Sequence, residues 1–175
     1  MSMVDGVAAI TIPSEDLENV DEKHMTLVYP SSRGNIYSDP FFGTKVISTI
    51  PSYQDGKFEN ANICLARDVD FSSGRAVFTP ESALFKFDLS EHPEINTITL
   101  IGDKPIHDED PVNKIYTTTV TLSSDVADRV YYVAVSAVSG VTLLISDGSR
   151  KLIISGLNIN NFLYNIDMEK NWEKQ

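Results

Sequence analysis

The sequence predicts an all-β protein, and three observations carry that expectation. Residues 82–88 alternate strictly between apolar and polar side chains, which puts Phe85 and Phe87, continued by Leu89, on one face and Lys86 and Asp88 on the other. Successive side chains of an extended backbone leave on opposite sides, so such a run reads as a half-buried strand. Comparable patterns return in residues 98–101, 115–122, 131–138, 141–146, 152–154 and 162–168. No window of ten or more residues carries a helical apolar period. Strands joined by loops, without helical crossovers, imply antiparallel pairing in a sandwich or a barrel.

Taken in order, the elements are punctuated by turn-forming residues. Residues 7–12 read as a first strand ended by Pro13, and Ser14 is placed to cap a short helix that Asn19 and Asp21 soon weaken. Residues 25–29 form a strand stopped by Pro30. Residues 31–43 mix Ser, Gly, Asn, Asp and Pro with aromatics and read as a long loop. Residues 45–50 form a strand halted by Pro51, and Asp55-Gly56 is a turn signal. Residues 58–66 and 75–78 are expected as short strands around a Ser72-Ser73-Gly74 turn. The second half yields strands at 82–89, 97–101, 114–122, 129–138, 141–146, 150–155 and 161–168, with Asp147-Gly148 suited to a tight hairpin. Of Tyr131 and Tyr132, alternation sends at least one ring inward, and Trp172 either tucks against a sheet edge or marks a short tail.

Length and charge bound the rest. A chain of 175 residues fits one domain, with residues 1–24 an acidic arm or first strand and residues 25–175 the β domain. Fourteen Lys and Arg against 25 Asp and Glu give a net charge of -11. That balance argues against nucleic acid and against an anionic membrane surface as partners. The most apolar window, residues 130–145, is broken by serines, a glycine and a threonine and splits into two strands, so no transmembrane segment is expected. The opening residues carry neither the basic nor the long apolar part of a secretory signal. Cys64 is the only cysteine and sits in an apolar strand-like setting, which predicts a buried, inert thiol.

Motifs for chemistry are sparse. His107-Asp108-Glu109-Asp110, with Asp103 nearby, is the densest set of oxygen and nitrogen donors. It lacks the spacing of a calcium loop, and Pro105 and Pro111 mark it as a solvated acidic loop, with calcium the alternative reading. His24, His92 and His107 stand far apart without a zinc or triad spacing. There is no Gly-x-Ser-x-Gly elbow and no phosphate-cradling glycine loop. The residues therefore predict a protein that is not an enzyme and needs no cofactor or metal. Tyr37, Phe41 and Phe42, with Tyr53 near, form an aromatic loop. It either plugs one end of the fold or offers a stacking platform for sugar rings.

Several segments, read in order, carry a family likeness: Leu27-Val28-Tyr29-Pro30, Ile50-Pro51-Ser52-Tyr53-Gln54, Asn62-Ile63-Cys64-Leu65-Ala66, and Val77-Phe78 followed by Ala83-Leu84-Phe85-Lys86-Phe87. Ile95-Asn96-Thr97-Ile98-Thr99-Leu100-Ile101-Gly102, Tyr131-Tyr132-Val133-Ala134-Val135 and Tyr164-Asn165-Ile166 complete the set. Their order and spacing resemble the fimbrillin-like family of Bacteroidetes surface proteins, over residues 25–168. The resemblance implies a transthyretin-like, Greek-key β-sandwich displayed at the cell surface on the outer membrane as a lipoprotein. It further implies a role in adhesion or pilus assembly, in which a strand of one subunit completes the sheet of the next. The implied partners are other surface or pilus subunits, or a host glycan or protein. Asn161, Phe162, Tyr164, Ile166 and Met168 would then belong to the donated strand. Arg33, the first arginine in the chain, reads as a solvated loop residue, with the family's arginine-specific maturation cleavage there as the alternative. The lipid-bearing cysteine of such proteins is not among these residues, and their usual two-sandwich subunit is longer. The rival reading is a glycan-binding module using Tyr37, Phe41 and Phe42.

Overall fold

The computed structural model describes residues 2–4, 7–9, 24–39, 43–107, 116–122 and 126–174. In chain order the early strands are β1 (Ser2–Val4), β2 (Val7–Ala9), β3 (Met25–Tyr29), β4 (Gly34–Asp39), β5 (Gly43–Ser48), β6 (Tyr53–Gln54), β7 (Cys64–Val69) and β8 (Thr79–Pro80), with one short helix α1 (Phe58–Ala61) before β7. The later ones are β9 (Ala83–Asp88), β10 (Thr97–Gly102), β11 (Thr117–Thr121), β12 (Val130–Val135), β13 (Val141–Ser146), β14 (Arg150–Leu157), β15 (Leu163–Ile166) and β16 (Glu173–Lys174). The fold is all-β.

The chain divides into two compact units, Met1–Leu27 with Ala66–Phe78, and Val28–Leu65 with Thr79–Gln175. The first holds the β1–β2 hairpin and a 3-10 turn over Phe71–Ser73. Asp70 opens that turn, its carboxylate accepting the Ser72 N–H at 2.9 Å, and Gly74 closes it at φ 65°. That reproduces the turn predicted at Ser72-Ser73-Gly74.

The second unit holds the core. A six-stranded sheet runs in the order β16-β14-β13-β10-β11-β6, and a three-stranded sheet in the order β12-β9-β15. Alternation sets which side chains these sheets bury: in β9, Ala83, Phe85 and Phe87 are buried while Leu84 and Lys86 are half-buried and Asp88 is exposed. β13 repeats the pattern with Val141, Leu143 and Ile145 inward. Phe85, Phe87, Tyr131, Val133 and Val135 from the smaller sheet join Ile98, Leu100, Val120, Leu143 and Ile145 from the larger one in a single apolar cluster. The two inner faces thus share one core, each large side chain contributing roughly 1.5–3 kcal/mol by burial.

The β13–β14 hairpin shows how local chemistry fixes register. The Asp147 carboxylate accepts the Arg150 N–H at 2.7 Å, the Ser149 N–H at 2.9 Å and the Arg150 Nε–H at 2.8 Å. Gly148 takes φ 91°, a conformation that disfavours any other residue at this turn. Burial raises the Asp147 pKa, but those hydrogen bonds outweigh it and hold the carboxyl below its ordinary value.

Four expectations change. Residues 34–39, read as loop, form β4, which pairs with β5 from Gly34↔Ser48 to Asp39↔Gly43. Cross-strand pairing overrides the poor strand composition there. Residues 58–66, read as one strand, begin as helix α1, because the Asp55 carboxylate accepts the Lys57 N–H at 3.1 Å and the Asn60 side-chain amide at 2.6 Å. A short apolar run does not distinguish the two periods. Residues 75–78 join no strand, and Val77 is exposed. Finally, pairing is not wholly antiparallel: β15 runs parallel to β9 and β6 parallel to β11. In both cases a long stretch of chain lies between the partners, as a parallel crossover requires.

Candidate functional site

An edge strand offers unpaired backbone groups, so the first question for such a fold is how each sheet edge is closed. The three-stranded sheet has two contrasting edges. In β12 the groups of Tyr131, Val133 and Val135 face β9, following the Leu89 N–H bond to the Arg129 carbonyl, and those of Tyr132 and Ala134 face outward. Every outward N–H in this stretch is taken. Tyr132 donates to the Gly56 carbonyl at 2.7 Å, Ala134 to the Gln54 Oε1 at 2.8 Å, and Ser136 to the Ile106 carbonyl at 2.8 Å. The same Gln54 side chain donates its Nε2–H back to the Ala134 carbonyl at 2.9 Å. A buried glutamine amide thus takes the place of a neighbouring strand's peptide group. Gly56 makes the approach feasible: its φ is 76°, and a Cβ there would lie 2.7 Å from the Tyr131 ring.

The opposite edge is β15. Leu84 donates to the Phe162 carbonyl at 3.0 Å, so Phe162, Tyr164 and Ile166 turn their backbone groups toward β9 while Leu163 and Asn165 turn theirs away. Among the described residues no further strand pairs with β15. Phe162 is 69 % exposed and Leu163 51 % exposed beside it. The strand is nevertheless firmly placed. The Tyr164 ring stacks on Phe85 at 5.2 Å, its hydroxyl donates to the Asn158 carbonyl at 3.1 Å, and Asn161 donates to the Pro80 carbonyl at 2.7 Å. Of the five residues named for a donated strand, Asn161 and Phe162 are exposed, Tyr164 and Ile166 are half-buried, and Met168 is buried in the core.

A second feature lies on the outer face of the same sheet. Ala134 and Leu84 are covered by Ile50, Ala61 and Ile63, which form a small separate apolar cluster. Further along the strand that cover stops, leaving an open cleft of about 390 Å³ lined by Lys57, Phe58, Glu59, Asp128, Val130 and Tyr132. Phe58 meets the Tyr132 ring edge-on at 5.0 Å and is 47 % exposed. The pairing register puts Lys86 beside Tyr132 and Asn165 beside Lys86, so Tyr132, Lys86 and Asn165 form a row across the face. Asp88 lies next to Val130. The hydrogen bond from the Ser90 hydroxyl, then that from its N–H, holds the Asp88 carboxyl below its ordinary range.

The other sequence-based candidates fall as follows. Tyr37 lies in β4, paired with Lys45, while Phe41 and Phe42 lie outside the described residues. Tyr53 is well exposed in β6. Asp108, Glu109 and Asp110 also lie outside the described residues, but Ile106 and His107 are buried, so this end of the segment is not a solvated loop. No cluster of three metal-ligating side chains occurs among the described residues. Arg33 is half-buried, with its Nε–H on the Asn60 carbonyl at 3.3 Å and its own carbonyl accepting the Thr49 N–H at 2.9 Å, and is not a free loop arginine. Cys64, expected to be buried, is only half-buried; burial, followed by the charge of Glu81, raises its thiol pKa. Tyr131 is the inward ring of its pair. Trp172 packs at the sheet end, its Nε1–H on the Asp167 carbonyl at 2.9 Å and the Arg150 guanidinium 5.2 Å from its ring. Among the described residues no helix is long and apolar enough to cross a membrane. Comparison with known proteins gives no matching family model, curated sequence or solved structure.

Proposed function

We propose that this chain is a non-enzymatic surface or secreted β-sandwich module of the fimbrillin-like type, acting in adhesion or pilus assembly through strand addition at β15. The observation that carries the reading is the asymmetry of the small sheet. β12 has each outward N–H from Tyr132 to Ser136 satisfied from within the chain, whereas Leu163 and Asn165 on β15 present theirs outward beside exposed Phe162. β15 is short, but the unpaired backbone groups of an edge strand are a template for pairing with another chain. A partner strand on β15 gains main-chain hydrogen bonds from Leu163 and Asn165, and Phe162 and Leu163 supply the apolar contact that fixes its register.

The test is the concentration dependence of association, followed by sedimentation for the wild-type chain, Asn165→Pro and Leu163→Lys. Proline at residue 165 removes an N–H that points away from β9, so the chain's own ladder is spared. Wild-type chain that associates while both variants stay monomeric is the expected result. A wild-type chain that is monomeric throughout, or variants that associate equally well, would refute it.

A further inference from the structure

We infer that the cleft between α1 and β12 is a binding site for neutral oligosaccharides. Three independent features of the site converge on that ligand class. The first is an aromatic corner. The Phe58 and Tyr132 rings touch edge-to-face at 5.0 Å, and the pair lines the cleft as one aromatic surface with Phe58 47 % exposed. A pyranose carries a patch of C–H groups on one face, which packs on an aromatic surface as no freely hydrated polar ligand does.

The second is the polar lining. Glu59 of α1, Asp128 from the turn before β12 and Lys57 all line the cleft. Carboxylates accept from the adjacent hydroxyls of a sugar. Carboxylates here, Asp88 beside them and a net charge of -11 disfavour sulfated, sialylated or phosphorylated ligands. The neutral class remains.

The third is shape. The cleft is open and of about 390 Å³, within the size range of small-ligand sites. Tyr132 in its lining is also the first of the row Tyr132, Lys86 and Asn165 across the same sheet face. With neighbouring strands about 4.8 Å apart, that row extends the platform by roughly 10 Å. Such a platform suits a short chain of sugar units better than a compact metabolite. The geometry arises because Gly56 lets α1 approach β12 and because Tyr132, packed on one side against the Ile50–Ile63 cover, is only half-buried.

The experiment is an array of neutral oligosaccharides, printed alongside sulfated and sialylated counterparts and probed with the intact chain. Hits are confirmed by amide chemical-shift titration. Retention of one or more neutral glycans is expected, with shifts at Val130, Tyr132 and Lys86. Phe58→Ala should weaken binding about tenfold by loss of the stacking ring. Asp128→Asn should weaken it about fivefold by loss of a charged acceptor. Thermal midpoints of Phe58→Ala and Asp128→Asn close to the wild type show that the loss is of binding and not of the fold. No neutral glycan retained at millimolar concentration, preference for the anionic counterparts, or unchanged binding by a Phe58→Ala, Asp128→Asn double variant would each overturn the inference.

Discussion

The two edges of the three-stranded sheet solve one problem in opposite ways. Along β12, a glutamine side chain and a glycine carbonyl occupy the positions that a neighbouring strand would fill. Along β15, the strand is anchored from below by the Tyr164–Phe85 stack while its outer groups face away from its own sheet. An edge can be held firmly in place and still be open for pairing. Anchoring comes from side chains on the sheet face, and closure comes from groups in the sheet plane.

The largest effect is expected where the edges share support. Phe85 lies in the central strand, is fully buried and carries the Tyr164 stack. Phe85→Ala should cost about 4 kcal/mol in denaturant unfolding. It should also loosen β15 more than β12, as hydrogen exchange would show. Next comes the sealed edge. Gln54→Ala strips partners from the buried N–H and C=O of Ala134, with an expected loss of about 3 kcal/mol. If the glutamine is the seal, adding Gln54→Ala to the Leu163→Lys variant should restore concentration-dependent association, read by sedimentation.

A third variant tests a region away from both edges. Asp147→Asn removes the charged partner of Arg150 in the β13–β14 turn and should cost about 2 kcal/mol at neutral pH. The wild-type Asp147 carboxyl titrates below its unfolded value of about 3.9, so its contribution is fully present above that pH and fades as pH falls through the lower folded value. The variant should lack that acid limb in a stability–pH profile, and a limb of equal size would contradict the assignment. Thr118→Val should be smaller and of opposite sign. The Thr118 hydroxyl is buried with no hydrogen-bond partner among the described residues, so its removal should stabilise by about 1 kcal/mol. The smallest stability effect belongs to the open edge. Leu163→Lys should change unfolding by less than about 0.5 kcal/mol, while the proposed association should be lost.

Much of this comparison was readable from residue order alone, and part of it was not. The alternation in residues 82–88 foretold that Phe85 and Phe87 would be core, and the Asp147-Gly148 turn and the boundaries of β13 followed from composition. Period-two alternation is a local property, so one strand suffices to reveal it. Neither edge is local. Gln54 meets Ala134 across eighty positions, and nothing in Tyr53-Gln54-Asp55-Gly56 beyond the turn signal points to a strand so distant. Phe58 was misplaced in a strand for the same reason. Its helical turn depends on Asp55 and Asn60, and its role in the cleft depends on Tyr132. The parallel partner of β15 was equally hidden, because alternation reports which face a residue takes but not which strand lies beside it.

Amide hydrogen exchange in dilute, monomeric solution tests the edge asymmetry most directly. The Tyr132 and Ala134 amides should exchange slowly, near the rate of the core amides of β9. The Leu163 and Asn165 amides should exchange orders of magnitude faster, and become protected when the concentration is raised into the associating range. Equal protection of the two pairs in dilute solution would contradict the account.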